Sequence, residues 1–542
     1  MLTVHLSTVV FLPFAAGLVA AFLPARAGRW LVVGAMVGVL AYVVAMIADF
    51  DANSGELQYV TDDAWISELG VRYQLGVDGL NLFLIALTAL LWVPAAVWAA
   101  LRTDDRPRLF MFNLALAETA VLGAFCAQDL ALFVVFFDLM LVPFYFLIGG
   151  WGQGERVRAT TKFTIYTLVG SLLMLAGAIS LGVLAAPDGD VSFSLAVLAE
   201  RPLGEGTQQW IFLLFAAAFL VKAPLFPLHG WVVDTYRATP IPVLVVLSAV
   251  LSKVGVYGFL RIVLPILPDA SQHFQELMII LAVVSILYGS VLAFSQDEPR
   301  LVVAYSSIAQ LGFIVLGIFS LSELGAQGAV MQMVNHGLVV AALFFIIAVL
   351  TARAGGSPSL AQMGGMALRA PVLAALFLVV ALATLAMPGS PNFMGEVLIL
   401  FGTFEDKLVY GLVASAGVAL AAVYMIRVFQ RSMHDRAGPA GETGDLGALE
   451  LGVIAPIVAV IVALGVYPQL LLDRTDEATT AKVEAAAAVA SGEAVPSASG
   501  APPQGAPAAQ GSPPPQPSAP PEAPPPSQGG GVPPEPRIEG QP

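Results

Sequence analysis

Charged side chains are scarce in this chain: of 542 residues only 11% are Asp, Glu, Lys or Arg, against about a quarter in a soluble domain. With 58% hydrophobic residues and a mean hydropathy of +0.83, that shortage excludes an ordinary water-soluble fold. The formal net charge is -14, and no basic cluster is present to neutralise phosphates, which excludes nucleic acid as a partner. A single cysteine, Cys126, lies inside an apolar run. It cannot form an intrachain disulfide or supply the thiolates of an iron-sulfur or structural zinc site, and it reads as a small buried hydrophobe. Neither a GxxxxGK[ST] loop nor a strand-mounted GxGxxG occurs, so nucleotides and dinucleotides have no visible binding motif. If electrons or ATP drive this protein, that machinery lies on another chain.

What the chain does have is long apolar runs. They occur at about 5–24, 30–48, 79–100, 109–127, 130–150, 161–185, 210–228, 240–263, 274–294, 300–320, 326–350, 372–403, 408–428 and 450–472, each near the roughly 20 residues a bilayer crossing needs. The expected fold is therefore an all-α polytopic membrane protein of about fourteen spans. No Lys or Arg precedes the first run, so it reads as a retained helix and not as a secretory signal. Arginines gather in alternate loops, among them Arg26 and Arg29, Arg102 to Arg108, Arg156 and Arg158, Arg237, Arg300, and Arg427 to Arg436. The positive-inside bias makes those loops cytoplasmic and places both termini outside. Beyond Leu472 the composition turns to Ala, Glu and Thr, and from Pro496 onward to Pro, Gly, Ser, Gln and Ala. The segment 473–542 accordingly reads as a disordered, solvated extracytoplasmic tail.

The few ionisable residues at mid-membrane depth carry most of the functional information, since each costs at least a few kcal/mol to insert. Only five lysines occur, Lys162, Lys222, Lys253, Lys407 and Lys482, and two of them, Lys222 and Lys253, fall near the centres of spans. Lys222 stands about 18 Å into its helix, too deep to snorkel easily. Candidate counter-charges are Asp138 in the fifth span, Glu118 in the fourth and Glu396 in the twelfth. A lysine beside a carboxylate keeps its charge, and one whose carboxylate moves away or is protonated releases a proton to escape desolvation. Structural ion pairing is the plainer alternative for each of the five. His336 is the only histidine well inside a span and suits a proton relay, as it also suits plain packing. His229, beside Asp234 and Arg237, fits either proton loading near the cytoplasmic surface or helix capping.

Two spans contain helix breakers. Lys222 is followed by Pro224 and Pro227, and the twelfth span carries Pro388, Gly389, Ser390 and Pro391 just before Glu396. Each proline removes a backbone donor and clashes with the preceding turn, so both helices are predicted to break beside an ionisable group. Interrupted helices at corresponding positions point to an inverted-repeat transporter core. The spacing divides the chain into 1–100 with spans one to three, a first five-helix unit at 109–263, a second at 274–430, and a last helix at 450–472. Polar residues Ser248, Ser252, Tyr257, Tyr305, Ser306, Ser307, Gln310, Gln332 and Asn335 line a hydrated path or serve as helix contacts.

The segments FFDLMLVPFYFLIGGWG, FLVKAPLFPLHGWVVDTYRATPIPVLVVLSAVLSKVGVYGFLRI, AYSSIAQLGF, MVNHG and MPGSPNFMGEVLILFGTF resemble, in order, the antiporter-like membrane subunits of respiratory complex I. This is the bacterial NADH:quinone oxidoreductase, and the resemblance, over roughly 75–431, is to the subunit M branch, where the twelfth-helix ionisable residue is glutamate. It implies fourteen helices with two inverted five-helix repeats, and proton translocation through Asp138, Lys222, Lys253 and Glu396; Glu118, His229 and His336, read from the residues alone, stand beside these as secondary relay candidates. It further implies flavin, iron-sulfur clusters and quinone on partner subunits, no cofactor or metal on this chain, and a multi-pass place in the bacterial inner membrane among paralogous subunits and lipids. The family's fifth-helix glutamate is replaced here by Asp138, whose carboxylate is drawn back by about 1.5 Å, enough to lengthen a direct contact with Lys222. The proline-rich tail lies outside the resemblance. A subunit of a multisubunit Mrp-type sodium/proton antiporter is the alternative, and a non-pumping scaffold is a third.

Overall fold

The computed structural model describes residues 5–186, 189–436 and 444–492. The chain begins with α1 (Leu6–Phe22) and α2 (Ala25–Asp49), then a hairpin of β1 (Gln58–Ile66) and β2 (Val71–Val77). There follow α3 (Gly79–Arg102), α4 (Pro107–Cys126), α5 (Leu130–Trp151), α6 (Arg156–Leu184), α7 (Glu205–Lys222) and α8 (Ile241–Ile266). The second half holds α9 (Gln275–Ser295), α10 (Pro299–Phe319), α11 (Glu323–Arg353), α12 in two pieces (Pro371–Thr384 and Pro391–Asp406), α13 (Leu408–Met433), α14 (Ala448–Val466) and α15 (Gln469–Ser491). Among the described residues eleven helices are long and apolar enough to cross a membrane, with α1 and the first piece of α12 as shorter apolar helices. The protein is thus all-α and polytopic, apart from one antiparallel hairpin in a loop whose sequence showed chiefly acidity.

Local chemistry sets the helix ends. Asp78 opens α3, its side chain accepting from the backbone N–H of Leu80 and Asn81 while the Asn81 side chain accepts from the Asp78 N–H, a reciprocal cap. Proline stands at the first turn of α4 and α10, where its missing N–H is an orphan in any case. Both expected breaks are present. Helix α7 stops at Lys222, and the next helical turn begins only at Val232. The two pieces of α12 are parted by a turn in which Gly389 takes φ +93°. Backbone freed by the breaks is met from neighbouring elements: Trp231 Nε1 donates to the Val221 carbonyl at 2.9 Å, the Phe226 N–H to Ser285 Oγ at 3.0 Å, and Asn335 Nδ2 to the Pro391 carbonyl at 2.8 Å. Such compensation is what allows irregular backbone at membrane depth.

Burial sorts the helices into a centre and a rim. Helix α8 is buried along its whole apolar window, and α10 and α11 nearly so, whereas α2, α6 and α13 expose apolar faces. On α6 the outward residues include Ile165, Leu168, Val169, Leu172 and Ile179. A helix apolar all round belongs inside a bundle or in lipid, and these outward faces suit lipid or a membrane neighbour.

The expectation of a disordered tail from 473 is corrected by α15. Leu471, Thr475, Thr479 and Val483 form one buried row at four-residue spacing, and the helix packs on α3, α11 and the C-terminal end of α8. The composition reading counted large apolar residues and overlooked that alanine, the strongest helix former, combined with small residues on one stripe, makes a packable face. The part of the tail beyond 492 lies outside the described residues.

Small residues let α11 and the second piece of α12 approach closely. A β-carbon on Gly328 would lie 2.6 Å from the Ile399 backbone nitrogen and 2.8 Å from the Gly395 carbonyl oxygen, backbone atoms that cannot swing aside. Gly328→Val is expected to destabilise the helix pair by about 1–3 kcal/mol. A lowered thermal transition of the purified, assembled protein would register this, and an unchanged one would refute the close packing.

Candidate functional site

Two of the expected ionisable residues stand at the broken end of α7. Lys222 is the last residue of that helix and is 2% exposed. Its ammonium lies 4.5 Å from the centroid of the Phe137 ring on α5, within cation–π range. Asp138, the next residue along, is half-buried and within electrostatic reach of Lys222 and Ser171. Among the described residues no ion pair within 4.0 Å joins Asp138 to Lys222, and the Asp138 Oδ1 atom is buried without a hydrogen-bond partner. The shortened side chain therefore leaves the pair apart, with an aromatic face against the ammonium.

Lys253 sits on α8, wholly buried. Its ammonium donates to the Ser248 carbonyl at 3.0 Å and to Ser252 Oγ at 3.4 Å. The turns at Leu247–Leu251 and Phe259–Val263 are π-helical, a widening frequent at functional sites. The first of them lies where the Ser248 carbonyl takes side-chain donors, Ser252 Oγ at 2.9 Å as well as the lysine. Glycines bring the neighbouring helices close. A β-carbon on Gly255 would meet the Phe219 carbonyl oxygen at 2.7 Å, and one on Gly337 the Ala249 carbonyl oxygen at 2.8 Å. Helix α8 thus abuts the end of α7 on one side and α11 on the other. His336, beside Gly337, is 2% exposed, lies within electrostatic reach of Lys253, and has both ring nitrogens without a partner.

Glu396, just past the break in α12, is likewise buried. Gln310 Nε2 of α10 donates to its Oε1 at 2.9 Å, and Gln332 Nε2 of α11 donates to Gln310 Oε1 at 2.7 Å and to Glu396 Oε1 at 3.4 Å. Glu396 Oε2 has no partner. Gln332 stands one helical turn from His336, so the side chains of α8, α11, α10 and α12 form a polar series from Lys253 to Glu396 through an apolar interior. Ser306 and Tyr424 share a hydrogen bond at 2.9 Å nearby, whereas the Ser307 hydroxyl bonds back to the Val303 carbonyl of its own helix.

The two remaining candidates stand apart. Glu118 on α4 is fully buried, and both carboxyl oxygens lack a partner. Neither lysine figures among its electrostatic neighbours. His229, in the turn after α7, shares a hydrogen bond with Tyr288 through Nε2 at 3.2 Å. The residues expected beside it are engaged elsewhere: Asp234 is paired with Lys162, and Arg237 holds both oxygens of Glu298 at 3.1 Å. Asp234, Arg158 and Arg237 line a cavity of about 470 Å³ at this face. A second cavity of about 740 Å³ lies under α15 at the far end of α12, bordered by Glu323, Glu405, Asp406 and Glu484. Among the described residues no group of three His, Cys, Asp or Glu side chains is arranged to hold a metal ion.

Sequence reasoning passed over one charged group inside a span, Arg261 on α8, and its partner Asp78. The signal was present: an arginine within FLRIVLPIL is as exceptional in lipid as a lysine.

The sequence and the fold are similar to those of known proteins. Residues 127–421 match the family described as NADH:quinone oxidoreductase/Mrp antiporter. NADH-quinone oxidoreductase subunit M of Rhodobacter capsulatus is 34% identical over 485 residues, covering 86% of this chain and 94% of that protein. The subunit M of Mycobacterium tuberculosis is 36% identical over 518 residues, covering 86% and 92%. Among solved structures, a chain of respiratory complex I from Thermus thermophilus with bound NADH superposes with a TM-score of 0.81 at 30% identity, covering 88% of this chain and 99% of that one. A chain of the Mrp complex from Dietzia sp. gives 0.78 at 21% identity, covering 90% and 98%, a likeness of fold alone.

Gln310 is the joint of the series, donating to Glu396 and accepting from Gln332. Gln310→Leu is expected to cost about 1–3 kcal/mol by leaving buried polar partners unmet and to shift the carboxyl infrared band of Glu396. A band that stays in place would show that Gln310 does not hold that carboxyl.

Proposed function

This chain belongs to the NADH:quinone oxidoreductase/Mrp antiporter family of membrane subunits, and from that premise we propose that it is the subunit M-type proton-translocating member of the membrane arm of a bacterial NADH:quinone oxidoreductase. In this reading the chain crosses the inner membrane fourteen times, with both termini outside and with α4 to α8 and α9 to α13 as inverted halves. Redox chemistry, with its flavin, iron-sulfur clusters and quinone, falls to other subunits. Its neighbours are the paralogous antiporter-like subunits and lipid. The observation that carries the proposal is the row of buried ionisable groups, Lys222, Lys253, His336 and Glu396, ending in the Gln332–Gln310–Glu396 bonds.

The residues divide the work by their surroundings. The cavity beside Asp234 and Arg237 admits water toward the turn after α7. Lys222, with an aromatic face against its ammonium and Asp138 held off, exchanges its proton when that separation changes. Lys253 takes up the charge on the carbonyl of a widened turn. His336 has two free nitrogens, one able to accept while the other donates, and so passes a proton from the α8 side to the α12 side. Glu396 holds the proton on the carboxyl oxygen that Gln310 leaves free and gives it up toward the cavity under α15. Moving one charge against 100 mV requires about 2.3 kcal/mol, the scale of one charged hydrogen bond made or lost. A small rearrangement at Asp138 and Lys222 is therefore sufficient for the electrical work.

NADH-driven proton uptake in inverted membrane vesicles, with wild type and Lys222→Met compared at equal amounts of assembled complex, tests this. Uptake is expected to collapse in the variant, while Asp138→Glu, which extends the carboxylate by about 1.5 Å toward the ammonium, keeps it. Unchanged uptake and NADH oxidation in Lys222→Met would overturn the assignment. Transport that needs sodium and no NADH would transfer the chain to an Mrp-type exchanger.

A further inference from the structure

The ion pair between Arg261 and Asp78 is as deeply buried as the lysines, its side chains 2% and 5% exposed. The guanidinium grips the carboxylate with two parallel bonds, Nη1 to Oδ2 and Nη2 to Oδ1, both 2.6 Å. The same carboxylate caps α3 through the Leu80 and Asn81 N–H groups. Arg261 Nε donates to the Tyr257 hydroxyl at 2.8 Å, and that hydroxyl donates to the Phe125 carbonyl at 3.0 Å. Lys482 of α15 adds a second positive charge, coupled electrostatically to both members of the pair. Two cations thus surround one carboxylate at the end of α8 nearest the hairpin.

Lys253, Tyr257 and Arg261 follow one another at four-residue spacing on α8, one stripe of the helix, with Arg261 about 12 Å beyond Lys253 along the axis. A proton leaving Lys253 along that stripe would meet the Tyr257 hydroxyl and then the guanidinium. A relay needs groups that both accept and donate, and a guanidinium has five donors and no acceptor. It also never gives up its charge, and a fixed arginine is a known means of excluding protons from a pore. The carboxylate that would accept a proton is already filled by the two guanidinium bonds and the helix cap.

We infer that Arg261, held in place by Asp78, closes the direct route from Lys253 to the outer face and so makes the sideways path through His336 to Glu396 the only exit. This rests on the proton-translocation reading above, and gives Arg261 a positioning role: it carries no proton itself. The pair joins α8 to the capped start of α3, whereas the close approach of α8 to α11 is set at Gly337.

The test uses the assembled complex in sealed vesicles without NADH, following the decay of an imposed pH gradient with a pH-sensitive dye. In Asp78→Asn with Arg261→Gln, two amides replace the charges and can both accept and donate, and passive decay is expected to quicken roughly tenfold or more. Asp78→Asn alone keeps the guanidinium and stays tight. Adding Lys253→Met to the double variant restores tightness, because the leak runs through that lysine. A tight double variant overturns the inference, as does a leak that survives Lys253→Met or one that appears in Asp78→Asn alone. If the double variant does not assemble, Arg261→Lys and Asp78→Asn decide: both retain a donor-only cation and stay tight, and a leak in either overturns the inference. Because this readout needs no turnover, a failed pumping assignment and a failed seal give different results: the first leaves Lys222→Met pumping, the second leaves the double variant tight.

Discussion

Everything unusual in this protein follows from keeping a few charges in a medium that cannot solvate them. A buried ammonium or carboxylate must be met by the protein itself, and regular helices have no spare backbone groups to offer. Lys222 stands where α7 ends, Lys253 beside the π-turn of α8, and Glu396 just beyond the gap in α12. The helix defects and the ionisable groups occupy the same places because the first supply the carbonyls and room that the second require. The all-round burial of α8, α10 and α11 then follows, since helices that carry or enclose such groups must also be shielded from lipid.

The two halves treat their charges differently. Near α7 the cation is met by an aromatic face and a carboxylate kept at a distance, an arrangement that leaves the ammonium weakly held. Near α12 the carboxyl is fixed at one oxygen by Gln310 and open at the other. In the proposed function the first gives up a proton on a small displacement and the second holds one until an outlet appears. His336, unbound at both nitrogens, lies between them.

Much of this was legible in the sequence because lipid makes rare residues conspicuous. The two prolines after Lys222 and the Pro-Gly-Ser-Pro run before Glu396 each announced a position that the structure bears out as a break, and the mid-span lysine Lys253 announced a buried charge. Three things were not legible. The distance between Asp138 and Lys222 depends on how α5 meets α7, a tertiary matter. The first π-turn of α8, Leu247–Leu251, comes without glycine or proline to mark it, whereas the second stands between Gly258 and Pro265. Arg261 and Asp78 lie 183 residues apart, and Asp78 falls outside every apolar run, so nothing local linked them. The helix α15 was missed for another reason: between Leu471 and Val483 its buried face is threonine and alanine, which a count of large apolar residues undervalues.

That last helix bears on how the chain is made. α15 covers the region of Asp78 and Arg261 and contributes Lys482 to it, yet it is the final described element to leave the ribosome. Helices α3 and α8 precede it in the chain, so the cover over their ion pair is added only after both partners have been made. Domains and segments otherwise tend to settle in the order they emerge. Here a contact between two earlier helices is covered by a later one, so the order in which the chain emerges is not the order in which this buried pair is enclosed.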